Sequence, residues 1–141
     1  MNFNLLRDKE QISRYVNQFG PIRSRGKEYL KRIVEYYVEN DFSVDFSQIL
    51  KQVGAQQGCD PKTIHKAISR FLYTGWSKGF DWAWRHYLGW TQPEPPQPAA
   101  AIQMLCKSYI TFVLSFQDIL ACTSSWYIRL AVERMDALQE G

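Results

Sequence analysis

Residues 60–79, DPKTIHKAISRFLYTGWSKG, constrain the fold more than any other stretch of the chain. Ile64, Ala67, Ile68, Phe71, Leu72, Gly75 and Trp76 recur at i, i+3, i+4, i+7, i+8, i+11 and i+12, the spacing of one face of an α-helix. Asp60 is suited to cap its start, because a carboxylate there accepts hydrogen bonds from the first free amides. Pro61 fits the first helical position, where no amide donor is needed. Lys78 falls in the last turn, where a cation suits the helix dipole, and Gly79 can take the left-handed conformation that closes a helix. Both ends and the apolar seam agree, so the other segments have to position this helix.

Its other face carries Lys62, Lys66, Ser69, Arg70, Tyr73 and Ser77, with Thr63 and His65 at the margins. Beyond the Asp60 cap no acid interrupts that surface. A basic helix face is most often simply solvated. The sharper alternative is a helix lying in a DNA major groove, where Lys and Arg meet phosphates or guanine edges and Ser, Thr and His meet either. Upstream, Phe46, Ile49, Leu50 and Val53 repeat at i, i+3, i+4 and i+7, which predicts a shorter amphipathic helix over residues 46–57. Only Gly58 and Cys59 separate it from Asp60. Two helices joined by a tight turn containing Gly, the second longer and basic on its free face, make a helix-turn-helix pattern, although antiparallel helical hairpins share it.

The chain resembles the DNA-binding effector domain of the sporulation master response regulator of endospore-forming bacteria. The residues that carry the resemblance are Ala67-Ile68 and Trp76-Ser77-Lys78-Gly79 in and after the long helix. Gly20-Pro21 and the run GKEYLKRIV over residues 26–34 match upstream, and Tyr87-Leu88-Gly89-Trp90-Thr91 with a Pro-containing connection matches downstream. It covers residues 11–112, with a small gap near Ile22. The resemblance implies an all-helical domain whose long helix reads bases in the major groove and which regulates transcription in sporulation. The family's base-reading positions fall on Thr63, His65 and Lys66. The family has basic, acidic and basic side chains there, so only Lys66 keeps its character. A bidentate base contact is worth ~1–3 kcal/mol of discrimination, so the two changed readers imply a different target or weaker specificity. The family's receiver domain would precede this region. Met1 stands only a few residues before the resemblance begins, so the expectation is no phosphorylation switch in the same polypeptide and regulation through abundance, a partner or the tail.

With 141 residues, the chain is expected to form one all-α domain, residues 1–141, long enough to bury a core. It would hold an effector-like helix-turn-helix region over residues 11–112 and a helical extension over residues 113–141. The net charge of +3 is too small to call for nucleic acid. Its distribution says more: residues 1–80 carry 13 Lys and Arg against 8 acids, and residues 81–141 carry 4 against 6. The basic half is the half with the helix-turn-helix, as a DNA footprint requires. Cys59, Cys106 and Cys122 form neither a disulfide framework nor a zinc pattern, and His65 and His86 make no paired ligand motif. No apolar signal region precedes the charges from Arg7 onward, so a reducing cytoplasm is the expected compartment. Without a Gly-rich phosphate loop, a nucleophile motif or an acidic pair, neither enzyme activity, a small-molecule substrate nor a cofactor is expected.

The remaining segments read as packing. A first helix over residues 6–19 turns Ile12, Val16 and Phe19 inward and ends at Gly20-Pro21. A second over residues 24–39 carries Tyr29, Leu30, Ile33, Val34, Tyr36 and Tyr37 on one broad stripe. Arg23, Arg25, Lys27 and Lys31 crowd its start, against the positive end of its dipole. They are either partly compensated by Glu28 or placed to touch a DNA backbone. The aromatic run FDWAWRHYLGW over residues 80–90 reads as core, with Arg85 and His86 able to reach phosphate if this helix flanks the groove. Residues 91–98, TQPEPPQP, predict an extended connection. Helix resumes over residues 99–120, too short in its apolar run for a membrane span. A last helix over residues 125–138 either packs back on the domain or makes a partner surface, with homodimerisation the expectation because DNA readers commonly pair on two half-sites.

Two functions of different class follow. One is a sequence-specific regulator of transcription on double-stranded DNA, using Lys62, Thr63, His65 and Lys66 for bases and Ser69, Arg70, Tyr73, Lys51 and Arg25 for phosphates. The other is a non-catalytic protein-interaction module derived from such a domain, binding another regulator through its apolar C-terminal tail.

Overall fold

The computed structural model describes residues 6–120, with side chains through residue 112. The fold is all-α, and no strand occurs among the described residues. The helices are α1 (Lys9–Val16), a 3-10 turn (Asn17–Phe19), α2 (Arg25–Glu39), α3 (Ile49–Gln57), α4 (Pro61–Ser77), α5 (Asp81–Leu88) and α6 (Pro98–Leu120). The chain divides into a unit of Asn2–Tyr109 and a second unit of Ile110–Gly141. The helix expected over residues 125–138 and the homodimer surface expected over residues 113–141 lie outside the described side chains.

The core of the first unit is built around α4. Ile64, Ile68, Phe71, Leu72 and Gly75 are buried as the periodicity predicts, and α4 packs most extensively on α2, then on α3. On α2 the buried stripe is Leu30, Ile33, Val34, Tyr37 and Val38, with Tyr29 and Tyr36 only half-buried. The two helices meet at very short range. A methyl group built on Gly26 of α2 would run into the Ala67 carbonyl of α4, and one on Gly20 would enter the Phe71 ring. These glycines are there for closeness, and they draw the connection between α1 and α2 onto α4.

The second layer is aromatic. Tyr15, Phe19, Trp84 and Tyr109 form a chain of edge-to-face contacts with ring centroids 5.1 to 5.2 Å apart, the arrangement their quadrupoles favour. Each polar handle is satisfied by a backbone carbonyl: Tyr15 donates to Leu105 at 2.8 Å, Tyr109 to Leu6 at 2.8 Å and the Trp84 indole to Phe19 at 3.0 Å. Buried polar groups left without partners would cost far more. From α6, Ala101, Ile102, Leu105 and Cys106 complete this core.

Four expectations change. The first helix does not run over residues 6–19: Asp8 caps α1 at Lys9 by accepting from the amides of Glu10 and Gln11, and its last turn tightens to 3-10. The shorter helix begins at Ile49 rather than at residue 46. Asp45 accepts from the amide and hydroxyl of Ser47, and that local turn competes with helix. Trp76 is half-buried, its indole donating to the Pro93 carbonyl at 2.9 Å, and so pins the extended proline segment against the end of α4. The aromatic run of residues 80–90 is not all core. Ala83 and Trp84 are buried, but Trp82 is 59% and Tyr87 45% exposed, because an eight-residue helix turns only one face inward.

Candidate nucleic-acid interface

The helix-turn-helix is assembled by local chemistry. Ile49 and Val53 anchor α3, and Gly58 ends it in the left-handed conformation at φ 68°, which suits glycine. The Cys59 amide then donates to the Gly54 carbonyl at 2.8 Å. One residue later the Asp60 carboxylate accepts from the Lys62 amide at 2.8 Å, and the Asp60 carbonyl accepts from Thr63 and Ile64. The turn is therefore closed on both sides. Tyr29 of α2 braces it from behind, its hydroxyl 3.4 Å from the Cys59 sulfur; that hydrogen bond pushes the phenol's pKa up, opposed by the nearby Arg25 guanidinium.

Burial of the seam aims the opposite face outward. Lys62, Thr63, His65 and Lys66, the expected base readers, are all exposed in the first turns of α4. Among the expected phosphate contacts, Arg70 and Tyr73 are exposed farther along the same helix, and Ser69, just before Arg70, is half-buried. Lys51 is exposed on α3 and Arg25 on the first turn of α2. Eight residues separate Lys62 from Arg70, roughly 12 Å of helix rise. That matches the ~12 Å width of a B-DNA major groove.

Carboxylate pairing separates this face from much of the surface but not all of it: Lys9 of α1 and Lys107 of α6 are also exposed and without a carboxylate within 4.0 Å among the described residues, Lys107 lying 5.7 Å from the Phe46 ring centre. Arg7, Arg14, Lys31, Arg32 and Arg85 each pair with a carboxylate at 2.9 to 3.6 Å. Among the described residues no carboxylate lies within 4.0 Å of Arg25, Lys51, Lys62, Lys66 or Arg70. The cations crowding the start of α2 split both ways. Lys31 is paired with Glu28 at 3.6 Å and Lys27 is buried, whereas Arg23 and Arg25 stay exposed, with no carboxylate within 4.0 Å among the described residues. Lys27 stands three residues before Leu30 and seven before Val34, so its burial was readable from the stripe it shares with them.

Arg85 and His86 are not brought to this face as free groups. Arg85 donates to Asp81 at 3.1 Å and lies 5.7 Å from the Trp76 ring centre, and His86 stacks on Trp82 at 4.8 Å. No group of three or more His, Cys, Asp or Glu among the described residues is placed to hold a metal ion, and no described helix is long and apolar enough to cross a membrane. Comparison with protein-family models, with curated proteins and with solved structures gives no match. The chemistry of the site therefore rests on its own residues.

Proposed function

We propose that this chain is a sequence-specific binder of double-stranded DNA that regulates transcription, with α4 lying in the major groove. The observation that carries the reading is the outer face of α4. It is a run of exposed cations, hydroxyls and an imidazole, without a neutralising carboxylate, on the second helix of a tightly closed helix-turn-helix. Groups of that kind pair with phosphate oxygens and base edges. Lys66 and its neighbours Lys62, Thr63 and His65 read bases, and Arg70, Ser69, Tyr73, Lys51 and Arg25 hold the backbone. The activity is binding rather than catalysis.

The test compares wild type with Lys66→Ala and Arg70→Ala by fluorescence anisotropy on a set of duplexes. Lys66→Ala is expected to lose roughly 1–3 kcal/mol of discrimination between its best and other sequences. Arg70→Ala is expected to weaken all duplexes alike. If neither variant changes affinity or selectivity on any bound DNA, α4 is not the reading helix.

A further inference from the structure

One side of α4 carries more than the reading face. Lys62, Lys66, Arg70, Thr74 and Lys78 lie at successive i+4 positions, one continuous ridge that winds slowly around the helix. Beyond the reading turns this ridge enters a cleft of about 210 Å³ lined by Pro21, Arg23, Ser24, Arg70, Phe71, Thr74 and Lys78. Its far wall is the connection between α1 and α2, which Gly20 and Gly26 allow to approach α4 so closely. Three cations from two separate segments, Arg23, Arg70 and Lys78, thus face one small volume. No carboxylate lines it, and among the described residues none lies within 4.0 Å of any of the three.

Like charges converging without a counter-charge repel one another unless an anion joins them. The remaining lining suits an oxyanion. Ser24 caps α2, so the positive end of that helix dipole lies at the cleft edge. The hydroxyls of Ser24 and Thr74 can each donate a hydrogen bond. The floor is the buried Phe71 ring and Pro21, whose low polarity strengthens charge interactions above it. Since a water occupies ~30 Å³ of liquid, the cleft has room for a phosphate and a few waters.

We infer that this cleft is a phosphate-binding site, with Arg23, Arg70 and Lys78 as its charged contacts and Ser24 and Thr74 as its neutral donors. The inference rests on the DNA-binding reading for its occupant: a backbone phosphodiester on the strand that walls the groove. Lys78 lies 16 residues past Lys62, roughly 24 Å along the helix axis, twice the groove width, so the cleft closes around that strand from outside. A free phosphate offers the same oxygens, and the two sources are separable.

The experiment uses the full chain and the variant Arg23→Gln/Lys78→Gln. Both positions are exposed and without an ion-pair partner among the described residues, and thermal melting verifies that the variant is folded. On duplex DNA the double variant is expected to weaken binding by the same factor on every sequence, to keep the preferred sequence, and to lower the slope of log affinity against log salt by about 0.9 for one lost phosphate. In parallel, melting is followed with inorganic phosphate in place of DNA. Stabilisation of wild type that the variant loses, without the change in DNA slope, assigns the cleft to free phosphate. Wild-type DNA binding with no change in the variant's slope, and no phosphate response, overturns the site while the reading of α4 stands. Absence of DNA binding by wild type overturns that reading, and the phosphate arm then decides the cleft alone.

Discussion

Asp60 shows how much one side chain decides. Its carboxylate receives the Lys62 amide and its carbonyl begins the α4 ladder, so a single residue fixes where α4 starts. Replacing it by alanine removes a cap worth about 1 kcal/mol. Asp60→Ala is therefore expected to unfold at lower urea, with an unchanged denaturant slope, and a urea titration followed by circular dichroism measures both. Tyr15 and Tyr109 decide the response to alkali. Burial pushes both phenols well above the ordinary tyrosine range. The unfolded chain ionises them near pH ~10 while the folded chain keeps them protonated. Their contribution is thus complete below about pH 10 and is lost as pH rises through the folded values. The Cys106 thiol, also pushed up by burial, would ionise near pH ~8.5 in the unfolded chain, so melting temperature is expected to hold below about pH 8 and to fall progressively above it, most steeply past pH ~10. Tyr15→Phe should blunt that fall, at a neutral-pH cost of about 1 kcal/mol for the lost bond to Leu105.

At the level of helices, what could be read from the sequence was what rested on one helix's own chemistry. The seam, the Asp60 cap and Gly79 of α4 all lie in consecutive residues, and the structure places α4 at Pro61–Ser77. The exposure of Lys62, Thr63, His65 and Lys66 was legible for the same reason, because burying the seam leaves them on the outer face. Features that depend on distant partners were not legible. Trp82, Trp84 and Tyr87 carry the same aromatic signal, but of the three only Trp84 is buried, its ring centre 5.2 Å from that of Phe19, while Tyr87 touches Phe19 at 6.3 Å from an exposed position. The cationic cleft was invisible because Arg23 and Lys78 are far apart in sequence and come to line one cleft only through the close approach at Gly26 and Gly20. That approach has its own consequence. Gly26→Leu puts a branched side chain against the Ala67 carbonyl, an overpacking that typically costs ~1–3 kcal/mol. It is expected to lower the melting temperature and, by moving the α1–α2 connection off α4, to reduce phosphate contacts. Trp84→Ala should cost ~3–5 kcal/mol as a fully buried ring, and Trp76→Ala less, since that side chain is only partly buried.

Across the first unit, charge and packing are segregated. The apolar faces of α2, α3 and α4 close on one another, the aromatic chain from Tyr15 to Tyr109 seals the other side, and Lys62, Lys66 and Arg70 stay exposed on the outside of α4, without a carboxylate within 4.0 Å among the described residues. That separation leaves Lys66 and Arg70 free to act without loss of fold, and it makes DNA affinity the property to measure. The most direct test is selection of tight binders from randomised duplex DNA by the full chain, followed by anisotropy on the enriched sequences across a salt series. The expected result is a shared motif in the winners, with log affinity falling by ~0.9 per log unit of salt for each phosphate neutralised. No enrichment, with only weak binding that salt abolishes on every sequence alike, would contradict the assignment of α4 as a sequence reader.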